Sequence, residues 1–396
     1  MSVALRAILR DGAPPVRVAL VLDRMAATRG GLESWAARFA AWLLRRGHEV
    51  HGVAFEFDED SALPGLIRHL VPRSTDRVAR ARAMEVRLAA LPPMLVHDFG
   101  VGWRFDLLHL HGGSRRTAFR RGLHALPPGR RLRALIDRVR VGRQGDLERR
   151  QYGLGSGRIV ALSRMVKAQL VHDYVVDAAR IEVVSNGVDP DAFTPAYRTA
   201  HRDAARRRLE LGEAPAFLFV AHNFYLKGLP AVLRALARLV RDGQAVSLCV
   251  VGAGPIDAFT GLADRLGVAS RVRFCGGVAD LRPYLAAADV LVHPTFYDSC
   301  SLVVLEAWAM GVPAITSRWN GAHELWPEGH EDWLVDDPRD VEALTRAMRA
   351  ALDPVRRETA GAVGRSVALA NSLERNFARI EALYVEALRS RGRQEW

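Results

Sequence analysis

Two acidic residues, Asp298 and Glu306, lie eight positions apart near the C-terminal end of the chain. Residues 288–294 before them, Ala-Asp-Val-Leu-Val-His-Pro, predict a buried strand that leads into a loop carrying Asp298. Glu306 lies in an apolar run that ends at Gly311 and Pro313, which predicts a helix with this acid on an early turn. The free amides at a helix N-terminus attract anions, and carboxylates accept hydrogen bonds from hydroxyls. Such a combination suits a sugar nucleotide.

Predicted strands and helices alternate along the chain, and together they can position these acids. The strands are read from apolar runs and the helices from apolar residues at helical spacing. In the first half, strands are predicted at residues 16–22, 94–97, 107–110 and 158–162, with a helix at 32–46 and a strand ending near Phe55. In the second half, strands are predicted at 217–221, 246–251, 272–275, 290–293 and 313–316, and a final helix at 372–389. Prolines and turn residues gather at 181–195, which marks a domain boundary. The pattern predicts α/β domains with parallel sheets.

Several short motifs occur in a characteristic order along this frame: Gly30-Gly31, Asn186-Gly187-Val188-Asp189, Lys227-Gly228, Gly252-Ala253-Gly254 and Asp298 followed by Glu306. From about residue 16 to residue 385 the chain resembles the retaining GT-B glycosyltransferases of family 4. Residues 285–294 and the acid motif are most similar to the bacterial lipopolysaccharide core glucosyltransferase I group. The resemblance implies two Rossmann-like domains with a donor cleft between them. It places residues 1–195 and the C-terminal helix 372–396 in an acceptor domain and 196–371 in a nucleotide-sugar domain.

The resemblance also implies roles for the two acids. Glu306 matches the second acid of the family's motif, which binds the nucleotide ribose, and its apolar surroundings favour a buried position over a solvated one. Asp298 stands where the family usually has glutamate and would contact the transferred sugar; alternatively, it caps the following helix. The amides of Ser301, Leu302 and Val303 could receive a phosphate.

Lys227 matches the lysine that the family uses on the donor diphosphate, although a solvated lysine before a helix is the alternative. His222 stands where the family often has an arginine, so neutralisation of the phosphates rests on Lys227, on helix amides or on an arginine from elsewhere. Gly30 and Gly31 follow the first strand and suit a close approach of backbone to ligand. Gly252 is a weaker candidate for the same reason, because a third glycine is missing.

His111 ends a predicted strand before two glycines, and related enzymes place a histidine at a similar strand end beside the sugar and phosphate. A structural histidine is an equal alternative, and His97 is a poorer candidate. Asp189-Pro190-Asp191 has the spacing of a metal-binding pair but lies in a turn motif. We expect no metal and no cofactor, since the sequence has no cluster with metal-ligand spacing.

The composition is basic, with 56 lysines and arginines against 44 acids, and all but Lys167 and Lys227 of the basic residues are arginine. Aromatic residues are few and scattered, which disfavours nucleic-acid binding. The three cysteines show no disulfide or zinc spacing. Neither a signal peptide nor a membrane span is predicted, and we expect a cytoplasmic protein that can lie on the inner face of the cytoplasmic membrane.

Segment 115–150 holds twelve arginines against three acids. Leu132, Leu135, Ile136 and Val139 recur at helical spacing, which predicts a basic amphipathic helix at an anionic membrane surface. The alternative is a helix packed on its own domain with its arginines in water.

The family resemblance implies a retaining, metal-independent transfer of a hexose, glucose from UDP-glucose, to a cell-envelope glycan or glycolipid such as lipopolysaccharide core. A sugar-nucleotide epimerase or a phosphorylase of the same fold is the alternative. A basic protein that binds membrane or nucleic acid without catalysis is a more distant one.

Overall fold

The structure, a computed structural model, describes residues 15–26, 30–58, 63–140, 144–153, 157–329 and 331–390. It divides into two compact units. The N-terminal unit contains residues up to Ser114, Ala134–Val184 and the chain from Arg375 onward, and the C-terminal unit contains Arg115–Arg133 and Ser185–Glu374. This division differs from the sequence-based one mainly at Arg115–Arg133, which were expected in the N-terminal domain.

The N-terminal unit is built on a seven-stranded parallel sheet of order β3-β2-β1-β4-β5-β6-β7. Its strands are β1 Arg17–Met25, β2 Glu49–Phe57, β3 Ile67–Leu70, β4 Leu95–Asp98, β5 Leu107–Leu110, β6 Arg158–Ala161 and β7 Ile181–Val183. The central strands β4 and β5 are buried along their whole length, as expected for a parallel sheet with helices on both faces.

The C-terminal unit is built on a six-stranded parallel sheet of order β10-β9-β8-β11-β12-β13. Its strands are β8 Ala216–Val220, β9 Ser247–Val251, β10 Val272–Phe274, β11 Val290–His293, β12 Ala314–Ser317 and β13 Leu334–Val335. Helix Leu229–Arg241 after β8 has seven buried residues on one face. Both sheets confirm the predicted Rossmann-like α/β architecture.

The helices connect these strands in the predicted alternation. They are α1 Gly31–Arg45, α2 Arg77–Ala89, α3 Arg115–Ala125, α4 Pro128–Arg140, α5 Gln144–Gly153, α6 Arg164–Tyr174, α7 Pro195–Arg208, α8 Leu229–Arg241, α9 Asp257–Arg265, α10 Arg282–Ala287, α11 Leu302–Ala309, α12 Val341–Ala350, α13 Pro354–Ala370 and α14 Leu373–Ser390. Many begin at predictable caps: Thr194, for example, accepts from the amide of Tyr197 before α7.

The C-terminal helix α14 packs within the N-terminal unit through polar contacts as well as apolar ones. Trp35 Nε1 donates to Asn376 Oδ1 at 3.0 Å, and Trp42 Nε1 donates to Glu381 Oε2 at 3.3 Å. Arg46 Nε donates to the other oxygen of the buried Glu381 at 2.8 Å. A buried carboxylate needs such partners, so these contacts tie the last helix to α1.

Candidate functional site

The strand order of the C-terminal sheet defines where a ligand can bind. From β8 the next strands are added on one side of the sheet, and from β11 they are added on the other, so the strand order reverses between these two neighbours. Ligands of open α/β sheets bind outside the carboxyl ends of the strands at such a switch point. The loop after β8 carries Lys227 and the loop after β11 carries Asp298, so the fold brings together two residues that lie 71 positions apart.

Lys227 and Asp298 form an ion pair at this switch point. Lys227 Nζ donates to Asp298 Oδ2 at 2.5 Å and to the Tyr297 carbonyl at 3.2 Å. His293 Nε2, at the end of β11, lies 3.6 Å from the same carboxylate oxygen. Burial raises the pKa of Asp298, but Lys227 and His293 together outweigh it and hold that pKa well below its usual range. Asp298 therefore stays ionised and can only accept hydrogen bonds.

The alternative role of Asp298 as a helix cap is not observed. Helix α11 begins after Ser301, which occupies the N-cap position without a side-chain capping bond. The main chain of Asp298 instead pairs with the loop after β12: its amide donates to the Trp319 carbonyl and its carbonyl accepts from the Gly321 amide. These two bonds fix the carboxylate beside Lys227.

Two asparagines that were not predicted as site residues hold the loop before α11. Asn320 Oδ1 accepts from the Ser301 amide at 3.1 Å, and its Nδ2 donates to Thr316 Oγ1 at 2.9 Å. Asn186 Nδ2 donates to the Cys300 carbonyl at 2.7 Å. Because the Ser301 amide already has an acceptor, the expectation that it binds phosphate needs correction. Only the placement of Asn186 in the Asn-Gly-Val-Asp motif could have pointed to either residue.

Helix α11 exposes one face and buries the other. Leu302, Val303 and Glu306 are partly exposed and share a face at helical spacing, whereas the intervening residues are buried. The amides of Leu302 and Val303 lie in the first turn, where a helix offers N–H groups that have no intrahelical acceptor. Glu306 is thus partly exposed rather than buried as its apolar surroundings predicted, on the same face as those amides.

Two glycines near Lys227 are required by close backbone approaches inside the C-terminal unit. Gly228 caps α8 with φ of 88°, and a Cβ there would lie 2.4 Å from the Pro294 carbonyl oxygen. Gly252 has φ of 148°, and a Cβ would lie 1.7 Å from the Ala221 carbonyl oxygen. The glycine at 252 is therefore explained by packing at the end of β8 without a ligand. His222 lies exposed in the loop after β8.

The carboxyl edge of the N-terminal sheet carries two glycines and a cluster of aromatic and histidine rings. Gly30 is the N-cap of α1, with φ of 80°, and Gly31 begins that helix after β1. His111 follows β5, and its ring centroid lies 4.2 Å from that of His109 and 5.0 Å from that of Trp35. Desolvation lowers the pKa of His111 to about 3, so this ring is neutral at physiological pH.

The alternative histidine, His97, is a packed structural residue. It is fully buried at the end of β4 and its Nδ1 lies 2.7 Å from the hydroxyl of Tyr384 on α14. Asp189, in the suspected metal-binding pair, accepts from the amides of Asp191 and Ala192 at 3.1 and 3.0 Å, as the turn interpretation predicts. No group of metal-ligating side chains was found among the described residues.

Arg121 is a further residue of this region that the sequence did not single out by itself. It lies on α3, in the segment that belongs to the C-terminal unit, and its guanidinium carbon is 3.5 Å from the ring centroid of Trp319. Its Nε donates to the Phe296 carbonyl at 3.2 Å. Phe296 and Trp319 flank the loop of Asp298, so α3 delivers a cation to the outer side of that loop.

Comparison with known proteins agrees with this geometry. Residues 29–192 match the model of Glycosyltransferase Family 4, and residues 214–354 match that of Glycosyl transferases group 1. The D-inositol 3-phosphate glycosyltransferase of Thermomonospora curvata is 35% identical over 378 residues, which cover 84% of this chain and 86% of that protein. The chain belongs to the family 4 glycosyltransferases. It is accordingly a glycosyltransferase enzyme.

Two other family 4 relatives differ in their stated donors and acceptors. The GDP-mannose-dependent alpha-(1-6)-phosphatidylinositol monomannoside mannosyltransferase of Mycolicibacterium smegmatis is 29% identical over 374 residues, 89% of this chain and 94% of that protein. The lipopolysaccharide glucosyltransferase WaaG of Escherichia coli is 28% identical over 199 residues, about half of each chain at 50% and 53%.

The comparison with solved structures concerns the fold. The crystal structure of WaaG superposes with a TM-score of 0.76 at 23% identity, covering 92% of this chain and 99% of that one. This confirms the GT-B fold and the resemblance to the lipopolysaccharide core glucosyltransferases. Within the C-terminal unit, the fold brings together Lys227, Asp298 and the exposed face of α11. Gly30, Gly31 and His111 lie at the carboxyl edge of the N-terminal sheet.

Proposed function

We propose that this glycosyltransferase transfers glucose from UDP-glucose, with retention and without a metal, to a glycan or glycolipid of the cell envelope such as lipopolysaccharide core. The observation that carries the proposal is the Lys227–Asp298 ion pair at the switch point, next to the first turn of α11. A cation, free amides and an ionised acceptor in one place suit a diphosphate that carries a sugar.

In the proposed reaction, Lys227 and the amides of Leu302 and Val303 bind the donor diphosphate. Two of the three ammonium donors of Lys227 already have acceptors, which leaves one for a phosphate oxygen. As the bond from C1 of the sugar to the phosphate oxygen breaks, its electron pair goes to the diphosphate. These groups stabilise the growing charge.

The acceptor hydroxyl then forms its bond to C1 on the face that the diphosphate leaves, and its proton goes to a phosphate oxygen. Asp298 is ionised, so it holds hydroxyls of the sugar and donates no proton to the leaving group. Glu306, on the exposed face of α11, accepts from the ribose diol. Neutral His111 offers the sugar a hydrogen bond without a charge.

A second candidate is a GDP-mannose-dependent mannosyltransferase. The relative with that activity aligns over nearly the whole of both chains, whereas WaaG aligns in sequence over about half. Nothing in the Lys227–Asp298 pair distinguishes glucose from mannose.

The donor test is a panel of radiolabelled UDP-glucose, GDP-mannose and UDP-N-acetylglucosamine, with slow hydrolysis and equilibrium binding as readouts. Glucose transfer predicts hydrolysis of UDP-glucose and weak binding of the other two. Preference for GDP-mannose would replace the first candidate with the second, and absence of binding to every donor would refute both.

A phosphorylase that uses pyridoxal phosphate is disfavoured by the lysines. Its Schiff base needs a neutral amine, but Lys227 is paired with a carboxylate, and Lys167 Nζ donates to the Ile181 carbonyl at 2.8 Å. Absence of cofactor absorbance in the purified protein would exclude this alternative.

We also propose that α4 contacts an anionic membrane that carries a lipid-linked acceptor. Leu132, Leu135 and Ile136 lie at helical spacing on α4 and are 62%, 45% and 44% exposed. Arginines surround them in the sequence, a combination typical of helices that lie on membrane surfaces. Within the described residues, no helix is long and apolar enough to cross a membrane.

A further inference from the structure

A cavity of about 540 Å³ opens at the amino edge of the C-terminal sheet, opposite the edge that carries Lys227 and Asp298. Helices α7 and α13 form its walls. Asp289 lines it immediately before β11, and Gly311 and Pro313 line it immediately before β12. The mechanism proposed above assigns no role to this cavity.

The cavity is lined by more cations than anions. Its charged residues are Arg198, Arg202, Arg357, Arg365, Asp289 and Glu358. The carboxylate of Asp289 is shared by two arginines, since Arg202 Nη2 lies 2.5 Å from one oxygen and Arg206 Nη1 lies 3.1 Å from the other. Among the lining residues, Glu358 is the other carboxylate beside the remaining three arginines.

Arg198 carries the least compensated of these charges. Its Nη2 donates to the Ala288 carbonyl at 3.2 Å, while its buried Nε reaches no acceptor among the described residues. Burial, together with the repulsion of Arg202, lowers the pKa of Arg198 to about 10, so the guanidinium is still charged at neutral pH. A buried cation with an unused donor is costly unless an anion completes its shell.

The other two arginines bind only uncharged acceptors. Arg357 Nη1 donates to the carbonyls of Ala351 and Leu352, and Arg365 Nη1 donates to that of Ala309 among others. These bonds satisfy carbonyl groups at helix C-termini, but they do not neutralise the charge of either guanidinium. Arg198, Arg357 and Arg365 thus line one cavity in which cations outnumber carboxylates.

We propose that this cavity is a second anion site, which binds a phosphate group carried by a soluble phosphorylated compound or by a lipid headgroup. Planar guanidinium groups match the oxygens of phosphate in geometry and charge. The cavity is larger than a phosphate ion alone and leaves room for the group that bears it.

The test is thermal unfolding of the full chain in inorganic phosphate and in sodium chloride of equal ionic strength. In the wild type, phosphate is expected to raise the melting temperature above its value in chloride. In Arg198→Gln, the apparent Kd for phosphate is expected to rise about tenfold or more, because a charge-assisted hydrogen bond is lost. Arg198→Lys keeps the charge and retains part of the effect.

Two controls separate this site from the donor site. Arg346→Gln removes an exposed arginine whose nearest acid is 3.9 Å away, and it leaves the phosphate effect unchanged. Lys227→Ala weakens the donor site but also leaves the effect unchanged. The proposal is overturned if phosphate acts no better than chloride, or if the increment persists in Arg198→Gln, which would mark binding elsewhere or an adventitious ion only.

Vesicles distinguish the two sources of phosphate. Cosedimentation with phosphatidylglycerol in phosphatidylcholine is compared for wild type and Arg198→Gln. A loss of binding in the variant identifies a lipid headgroup as the ligand, whereas unchanged binding together with the phosphate effect identifies a soluble phosphorylated compound.

Discussion

The carboxyl edges of the two sheets share a topology but differ in chemistry. At the C-terminal edge an ammonium and a carboxylate, Lys227 and Asp298, form an ion pair beside free helix amides. At the N-terminal edge His97, His109 and His111 stack with aromatic rings, and burial lowers the pKa of all three. The N-terminal edge also carries Asp98 and the Arg24–Glu56 and Arg80–Asp23 ion pairs, so the contrast is between the C-terminal ion pair and this cluster of neutral histidines. The difference shows that the same sheet topology can place a charged pair or a cluster of uncharged rings at the ends of its strands.

Removing the cation of the Lys227–Asp298 ion pair has the largest expected effect. Lys227→Ala lowers kcat by about 10²–10³-fold, the usual cost of losing one group that stabilises transition-state charge. Because burial alone raises the pKa of Asp298, the acid limb of the pH–rate profile also moves to higher pH in this variant. Steady-state kinetics with the preferred donor, from pH 4 to pH 9, measure both changes.

The chain supplies a matched control in its other lysine. Lys167 donates to a main-chain carbonyl in the N-terminal unit, and Lys167→Ala leaves kcat and the pH profile near those of the wild type. Equal losses in the two variants would show that Lys227 acts through stability and not on the donor.

Glu306 tests whether the exposed face of α11 binds the ribose. Glu306→Gln keeps the size of the side chain and removes its charge, so we expect the donor KM to rise by about 10- to 100-fold, the range for a charged hydrogen bond. The kcat value changes less, because the ribose does not react. Glu213→Gln, at an exposed position, is the control; a loss confined to kcat would contradict the ribose role.

The cluster of neutral histidines predicts that folding is sensitive to acid. The three histidines have lowered pKa values in the folded chain, whereas unfolded histidine titrates near 6.5. Below that pH each of these histidines binds more protons in the unfolded state, so its contribution to stability falls as pH decreases, by up to about 1.4 kcal/mol per pH unit. Burial raises the pKa of the neighbouring Asp98 to about 6, which partly opposes this loss below pH 6. Urea unfolding at pH 7.5, 6.5 and 5.5 measures this slope.

A single substitution sharpens this prediction. His109 is fully buried and neither of its ring nitrogens has a partner among the described residues. His109→Phe keeps an aromatic ring at this position but removes the titrating imidazole. The unfolded state then binds about one proton fewer, so the slope of unfolding free energy against pH becomes shallower by about 1.4 kcal/mol per pH unit. An unchanged slope would place the acid-sensitive group elsewhere.

Arg121 has the smallest expected effect. Its guanidinium stacks on Trp319 and binds the Phe296 carbonyl, so it positions the Asp298 loop and does not itself react. Arg121→Ala is expected to lower kcat/KM by about 3- to 10-fold, in line with a partly buried cation–π contact. Arg121→Lys recovers part of this loss if the charge matters; full activity of the alanine variant would remove Arg121 from the site.

The sequence predicted the central strands and the acid-bearing helix well, because their apolar runs are continuous; residues 290–293 match β11 at both ends. It missed β3, β7 and β13, which lie at or near sheet edges and are at most four residues long. Neither the pairing of Lys227 with Asp298 nor the hydrogen bond that Asn320 accepts from the Ser301 amide could be predicted. Both depend on loops from different strands, and a single asparagine in a loop forms no periodic pattern.

The placement of helix α3 has a consequence for synthesis of the chain. Arg121 contacts a residue 175 positions later in the sequence, so the helix leaves the ribosome long before the sheet that it packs on exists. Contacts of such separation form late and slow the folding of a domain. The nascent N-terminal half therefore carries an unsatisfied, arginine-rich helix until β8 to β12 have been made. The contacts of α3 with Phe296 and Trp319 thus form only after most of the C-terminal sheet has been synthesised.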